Sequence, residues 1–130
     1  MRVLAACLAL AACATAPEPP PGARLEGCWI NRQAGQTMRW TPPPGQPGVL
    51  NGVRLGTDTA RFVLRPSDQG WRFCELGADS ERCWIVAEGR DGSLEGGRAF
   101  VDGHGERLRI EIVGDGPSRV IFQGRRDGCD

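Results

Sequence analysis

Residues 71–87, WRFCELGADSERCWIVA, decide the fold. Both flanks alternate apolar and polar side chains as a half-buried strand does, and Gly77, Ala78 and Asp79 between them carry turn chemistry. Folded back so that Trp71 faces Val86, Phe73 faces Trp84 and Glu75 faces Arg82, the segment gathers two apolar pairs and one pair of opposite charge on a single face. The same register sets Cys74 against Cys83 on the other face. With a two-residue turn at Ala78-Asp79 the cysteines fall at a non-hydrogen-bonded site, where Cα atoms lie about 4.5 Å apart, within disulfide reach. A four-residue turn keeps every partner but moves the cysteines to a hydrogen-bonded site, so the sequence leaves the turn type open.

Working back toward the N-terminus, residues 60–65 alternate with Ala60, Phe62 and Leu64 on one side and Arg61 and Arg65 in water. Across the turn signal Gly56-Thr57-Asp58 they pair with residues 49–55, where Val49, Val53 and Leu55 share a side. Residues 36–41 place Met38 and Trp40 together and stop at Pro42-Pro43-Pro44-Gly45, because proline cannot donate to a ladder. Residues 25–31, LEGCWIN, read as the first strand, with Leu25, Gly27 and Trp29 on one face and Glu26, Cys28 and Ile30 on the other.

Working forward, residues 89–92 turn and residues 93–101 form a strand weakened by Gly96 and Gly97, the mark of a bulge or of a bend where a barrel closes. Leu108, Ile110 and Ile112 then alternate with Arg107, Arg109 and Glu111, and Val120, Phe122 and Gly124 match them in a hairpin. The pattern predicts an all-β fold, a single antiparallel up-and-down barrel of roughly eight or nine short strands over residues 25–130, without a helix or a repeat.

Composition narrows the function classes. The 130 residues allow one domain with one modest core. Sixteen basic side chains, all of them Arg, balance sixteen Asp and Glu, so nothing argues for a grip on nucleic acid, and a monomer without nucleic-acid partners is expected. The 19 Gly and 10 Pro suit a turn-rich β chain.

Ahead of the first strand, residues 1–12 carry one charge at Arg2 and then a short apolar run that suits a signal peptide but is too short to span a bilayer. The run ends in Leu10-Ala11-Ala12-Cys13, which resembles the lipobox of bacterial lipoproteins. That resemblance implies a diacylated Cys13 as the mature N-terminus, and Ala14 after it implies sorting to the outer membrane, facing the periplasm. Leu4-Ala5-Ala6-Cys7 fits the same letters but leaves almost no apolar core for export, and ordinary secretory cleavage after Ala14 or Ala16 is the alternative. Residues 13–24 are proline-rich and read as an extended tether.

In an exported domain the four remaining cysteines favour disulfides. Register selects Cys74 with Cys83, which leaves Cys28 with Cys129, a bridge worth about 4 to 5 kcal/mol on the chain-entropy estimate. No C-x-x-C spacing accompanies them and the only His sits in a glycine turn, so no metal and no cofactor is expected.

Gly27-Cys28-Trp29 resembles the G-x-W of the first strand of lipocalins and related small barrels. The resemblance implies a Trp that closes the barrel floor and an Arg near the last strand, Arg125 or Arg126, packed over it. It also implies a lipocalin-like domain of the bacterial envelope, shorter than a true lipocalin and lacking the helix before the last strand.

Trp29, Met38, Trp40, Trp71, Phe73 and Trp84, with Arg98, are the candidate pocket or core residues: they fill a barrel of this size or wall an apolar pocket, with Arg98 either meeting an anionic ligand inside or facing out. Glu75 and Arg82 pair across strands or line a site. His104, between Asp102 and Glu106, is a solvated turn residue unless a nucleophile accompanies it, and no phosphate loop, nucleophile elbow or paired-carboxylate motif is present. The expectation is a non-enzymatic, membrane-anchored envelope lipoprotein that binds a small apolar ligand or serves an envelope role. The alternative is a partner-binding module of the lysozyme- or protease-inhibitor type.

Overall fold

The structure, a computed structural model, describes residues 24–87, 97–114 and 116–127. Nine strands close into one barrel in sequence order. They are β1 (Gly27–Asn31), β2 (Gln36–Thr41), β3 (Leu50–Leu55), β4 (Thr59–Ser67), β5 (Gly70–Leu76), β6 (Glu81–Ala87), β7 (Arg98–His104), β8 (Arg107–Val113) and β9 (Arg119–Arg126). The leader, Cys13, the tether up to residue 23, Gly96 and Cys129 lie outside the described residues.

The β5–β6 hairpin has the register read from its sequence, with Phe73 opposite Trp84, Cys74 opposite Cys83 and Glu75 opposite Arg82. The Gly77 amide donates to the Ser80 carbonyl, which makes those two the bonded pair and Ala78-Asp79 the two-residue turn. Alternation then places Cys74 and Cys83 at a non-hydrogen-bonded site, with Cα atoms 4.1 Å apart and the disulfide formed.

One junction departs from the expected up-and-down order: β6 and β7 are parallel. Closure requires it. Each antiparallel junction reverses direction, a closed ring needs an even number of reversals, and nine strands make nine junctions, with β1 and β9 antiparallel. The described part of β7 begins at Arg98, and residues 93–96 of the expected strand lie outside the described residues.

The interior collects Leu25, Trp29, Met38, Trp40, Leu50, Phe62, Leu64, Phe73, Trp84, Ala99, Leu108, Ile110, Ile112, Ile121 and Phe122. Two strands present a different side from the one their sequence suggests. On β3 the side holding Val53 and Leu55 is the outer one, and Leu50, Gly52 and Arg54 point in with their partners Leu64, Phe62 and Ala60. Gly52 receives the Trp40 indole, since a Cβ there would lie 2.8 Å from ring atoms. On β9 a bulge opposite Ile110 and Glu111 makes Ile121 an extra residue. Phe122 and Gly124 match Ile110 and Leu108 as expected, but beyond the bulge the parity flips: Val120 is exposed and Arg119 stands opposite Ile112.

Candidate functional site at the arginine-ringed end

The connections β2–β3, β4–β5 and β7–β8 and the incoming chain at Arg24 lie at one end of the barrel. That end is sealed. Trp29 donates its indole N–H to the Leu25 carbonyl at 2.9 Å. The Arg126 guanidinium sits 4.2 Å above the Trp29 ring and donates to the carbonyls of Glu26 at 2.8 Å and Arg24 at 2.6 Å. Gly27 allows this approach: its φ is 120°, and a Cβ there would lie 2.9 Å from Arg126 Nη1. Of the two arginines offered by the sequence, Arg126 therefore caps the floor Trp. Trp71, half-buried opposite Pro66, packs against the core where the β2–β3 loop passes at Gly48.

The opposite end carries the connections β1–β2, β3–β4, β5–β6 and β8–β9, and four of its inward positions, on β3, β5, β6 and β9, are charged. Arg54 on β3, Glu75 on β5, Arg82 on β6 and Arg119 on β9 all share the side of the apolar core. Arg54 reaches across the barrel to donate to the Ile121 carbonyl at 2.7 Å, capping the bulge residue. Its guanidinium lies 5.6 Å from the centre of the Phe62 ring and 3.7 Å from an Asp58 carboxylate oxygen. Arg82 and Arg119 lie 5.2 and 5.9 Å from the centre of the Trp84 ring, and Arg119 also meets Glu75 at 3.4 Å. Among the described residues, the inward carboxylate of Glu75 thus meets Arg119 and stands across from Arg82, while Arg54 lies over Phe62 with Asp58.

The aromatic set that the sequence offers as core or pocket stands apart from this rim. Trp29, Met38, Trp40 and Phe73 are fully buried core, Trp84 nearly so, and Trp71 packs at the sealed end. Arg98 is opposite Val113 and next to Ile85 on the outer face, where it donates to the Gly97 carbonyl. It takes no place inside. Glu75 and Arg82 are cross-strand neighbours, but the guanidinium that Glu75 meets in an ion pair is Arg119. Arg54 and Arg119 escape a sequence reading, the first because Val53 and Leu55 mark the wrong side of β3, the second because one bulged residue reverses the alternation.

His104 is exposed at the end of β7 and borders an open outer groove with Arg107, Arg109 and Arg125; the residues lining that groove include no Ser, Thr or Cys. Cys74, Glu81 and Cys83 bring three side chains of metal-ligand type together, but the two sulfurs are joined to each other. Compared with known proteins, the chain matches no family model, no curated protein and no solved structure. Fold and site together define a small closed β-barrel with one end sealed by Trp29 and Arg126 and the other ringed by arginine.

Proposed function

We propose that this chain is a lipid-tethered envelope protein whose lipocalin-like barrel acts through its surface, as a non-enzymatic partner-binding module of the inhibitor type, rather than by enclosing a small apolar molecule. The observation that carries this reading is the filled interior. Trp29, Met38, Trp40, Leu64, Phe73 and Ile110 have 0% exposure, so they border no space that admits water, whereas a ligand calyx needs roughly 300 Å³ or more.

The seating of Arg126 on Trp29 supports the likeness to lipocalin-type barrels. Anchoring at Cys13 rests on Leu10-Ala11-Ala12-Cys13, with the acyl chains contributing roughly 0.8 kcal/mol per buried methylene. The second staple, Cys28 to Cys129, is supported from both sides: Cys28 is disulfide-bonded, and the Asp127 amide donates to the Cys28 carbonyl at 3.0 Å, which brings the chain beside Cys28 two residues before Cys129.

Metabolic labelling with a palmitate analogue tests the anchor: label on the wild type and none on Cys13→Ala is the expected result, and label retained by Cys13→Ala overturns it. Native mass spectrometry of the protein extracted from envelopes tests the mode of action. A bare mass is expected, and a stoichiometric apolar adduct would sink the surface reading in favour of ligand storage.

A further inference from the structure

We infer that the outer side of strands β2–β5 is a membrane-facing surface that lies on anionic phospholipid headgroups; the inference rests on the anchoring reading above. Charge on these four strands is one-sided. Their single carboxylate, Glu75, faces in, whereas Arg39, Arg61, Arg65 and Arg72 all face out. Arg65 is taken by Glu81 of the neighbouring β6. Glu26 lies ahead of β1, and Asp58, Asp68 and Asp79 stand in the bordering turns, where Asp58 meets Arg54. Arg39, Arg61 and Arg72 remain, all exposed and, among the described residues, without an acceptor. The outer side of β7–β9 is different: there Arg107, Arg109 and Arg125 alternate with Asp102, Glu106 and Glu111.

Apolar side chains accompany these cations. Among the described residues, the exposed large hydrophobics Leu55 (52%) and Leu76 (38%) are both on this side. Leu76 is a cross-strand partner of Arg61, and so is Val53, two residues before Leu55. A carboxylate site on a protein needs its cations drawn to one point, but here the row of Val63 and Cys74 lies between Arg61 and Arg72. Spread guanidiniums can each take phosphodiester oxygens in pairs while leucines between them enter the headgroup boundary, so the pattern matches a lipid surface. The tether permits this pose. Residues 13–24, extended at about 3.1 Å per residue, exceed the length of the nine-residue β4 at about 3.3 Å per residue, so the barrel can lie on its side against the bilayer that holds Cys13.

The test is NMR of the full chain held on lipid nanodiscs, one set of phosphatidylcholine and one of an equimolar phosphatidylcholine–phosphatidylglycerol mixture. Each carries a trace of lipid with a gadolinium chelate on its headgroup, which relaxes the amides that face the bilayer. On the anionic discs the amides of Val53, Arg61 and Leu76 are expected to relax severalfold faster than those of Arg107 and Gln123. On phosphatidylcholine, or in molar salt where the screening length falls to about 3 Å, the difference should vanish. Arg61→Gln and Arg72→Gln should each lower the preference about fivefold, the loss of one cation beside an anionic leaflet, and Arg107→Gln should leave it unchanged.

An unshifted Trp29 indole signal in each variant shows that the barrel is intact. Equal relaxation of the two sides on anionic discs, a preference indifferent to lipid charge, or an equal loss in Arg107→Gln overturns the inference. A β2–β5 side turned to solvent on anionic discs leaves its arginines to an acidic protein and overturns the assignment to lipid. The intact mass of the disc-bound chain reports separately on the anchor: a chain without acyl groups sinks the Cys13 reading, while the relaxation pattern still decides which side meets the membrane.

Discussion

Both ends of the barrel set guanidiniums over an indole, yet the two arrangements are held differently. Arg126 lies 4.2 Å above Trp29 and donates to two main-chain carbonyls, whose positions follow from the backbone itself. Arg82 and Arg119 lie farther from Trp84, and Arg119 is met by a side-chain carboxylate with rotamer freedom and access to water. A cation fixed by carbonyls closes a structure. A cation faced by a carboxylate can exchange one anion for another. The same pair of residue types is thus held by main-chain carbonyls at one end and by a side-chain carboxylate at the other, and what differs is the acceptor.

Substitutions can break or sharpen this contrast. The largest effect is expected from Trp29→Ala, which empties the floor of the sealed end and should lower stability by about 3 to 5 kcal/mol in chemical unfolding. A loss under about 1 kcal/mol would mean that the floor is not what closes the barrel. Next, Arg126→Met keeps the volume but removes the cation and its carbonyl contacts, and should cost about 2 to 3 kcal/mol. Gly52→Ala tests the middle of the barrel: its Cβ would meet the Trp40 ring at 2.8 Å, and overpacking of this kind costs about 1 to 3 kcal/mol, read as a lower melting temperature.

The smallest effect should come from Arg119→Gln, within about 1 kcal/mol, because an ion pair this exposed contributes little to stability. Equal losses for Arg126→Met and Arg119→Gln in the same thermal melts would erase the distinction between the two ends. A loss confined to Arg126→Met would sharpen it.

The hairpin of β5 and β6 was legible down to its register, because pairs of three kinds, apolar, charged and cysteine, agree on a single alignment. The capping of Trp29 was legible as a choice between two neighbouring arginines, and strand parity decides it: Arg126 pairs with Trp29 and faces in, while Arg125 pairs with Ile30 and faces out. The arginine ring was not legible. Arg54 sits on a strand whose β-branched and leucine residues point outward, since the inner face yields its space to the Trp40 indole over Gly52. Arg119 faces in only because Ile121 is inserted between two paired positions, and an insertion of this kind leaves the local pattern of Val120 and Phe122 looking continuous.

By itself, the amino-acid sequence determined the run of strands and the pairing of Cys74 with Cys83, because these depend on alternation and on partners close along the chain. Tertiary structure alone decided the parallel junction between β6 and β7, the filled interior and the inward placement of Arg54 and Arg119. Ring closure sets the direction of the ninth junction, and the volume of the aromatic side chains sets which faces turn inward. Both are properties of the whole barrel, and no stretch of neighbouring residues carries them.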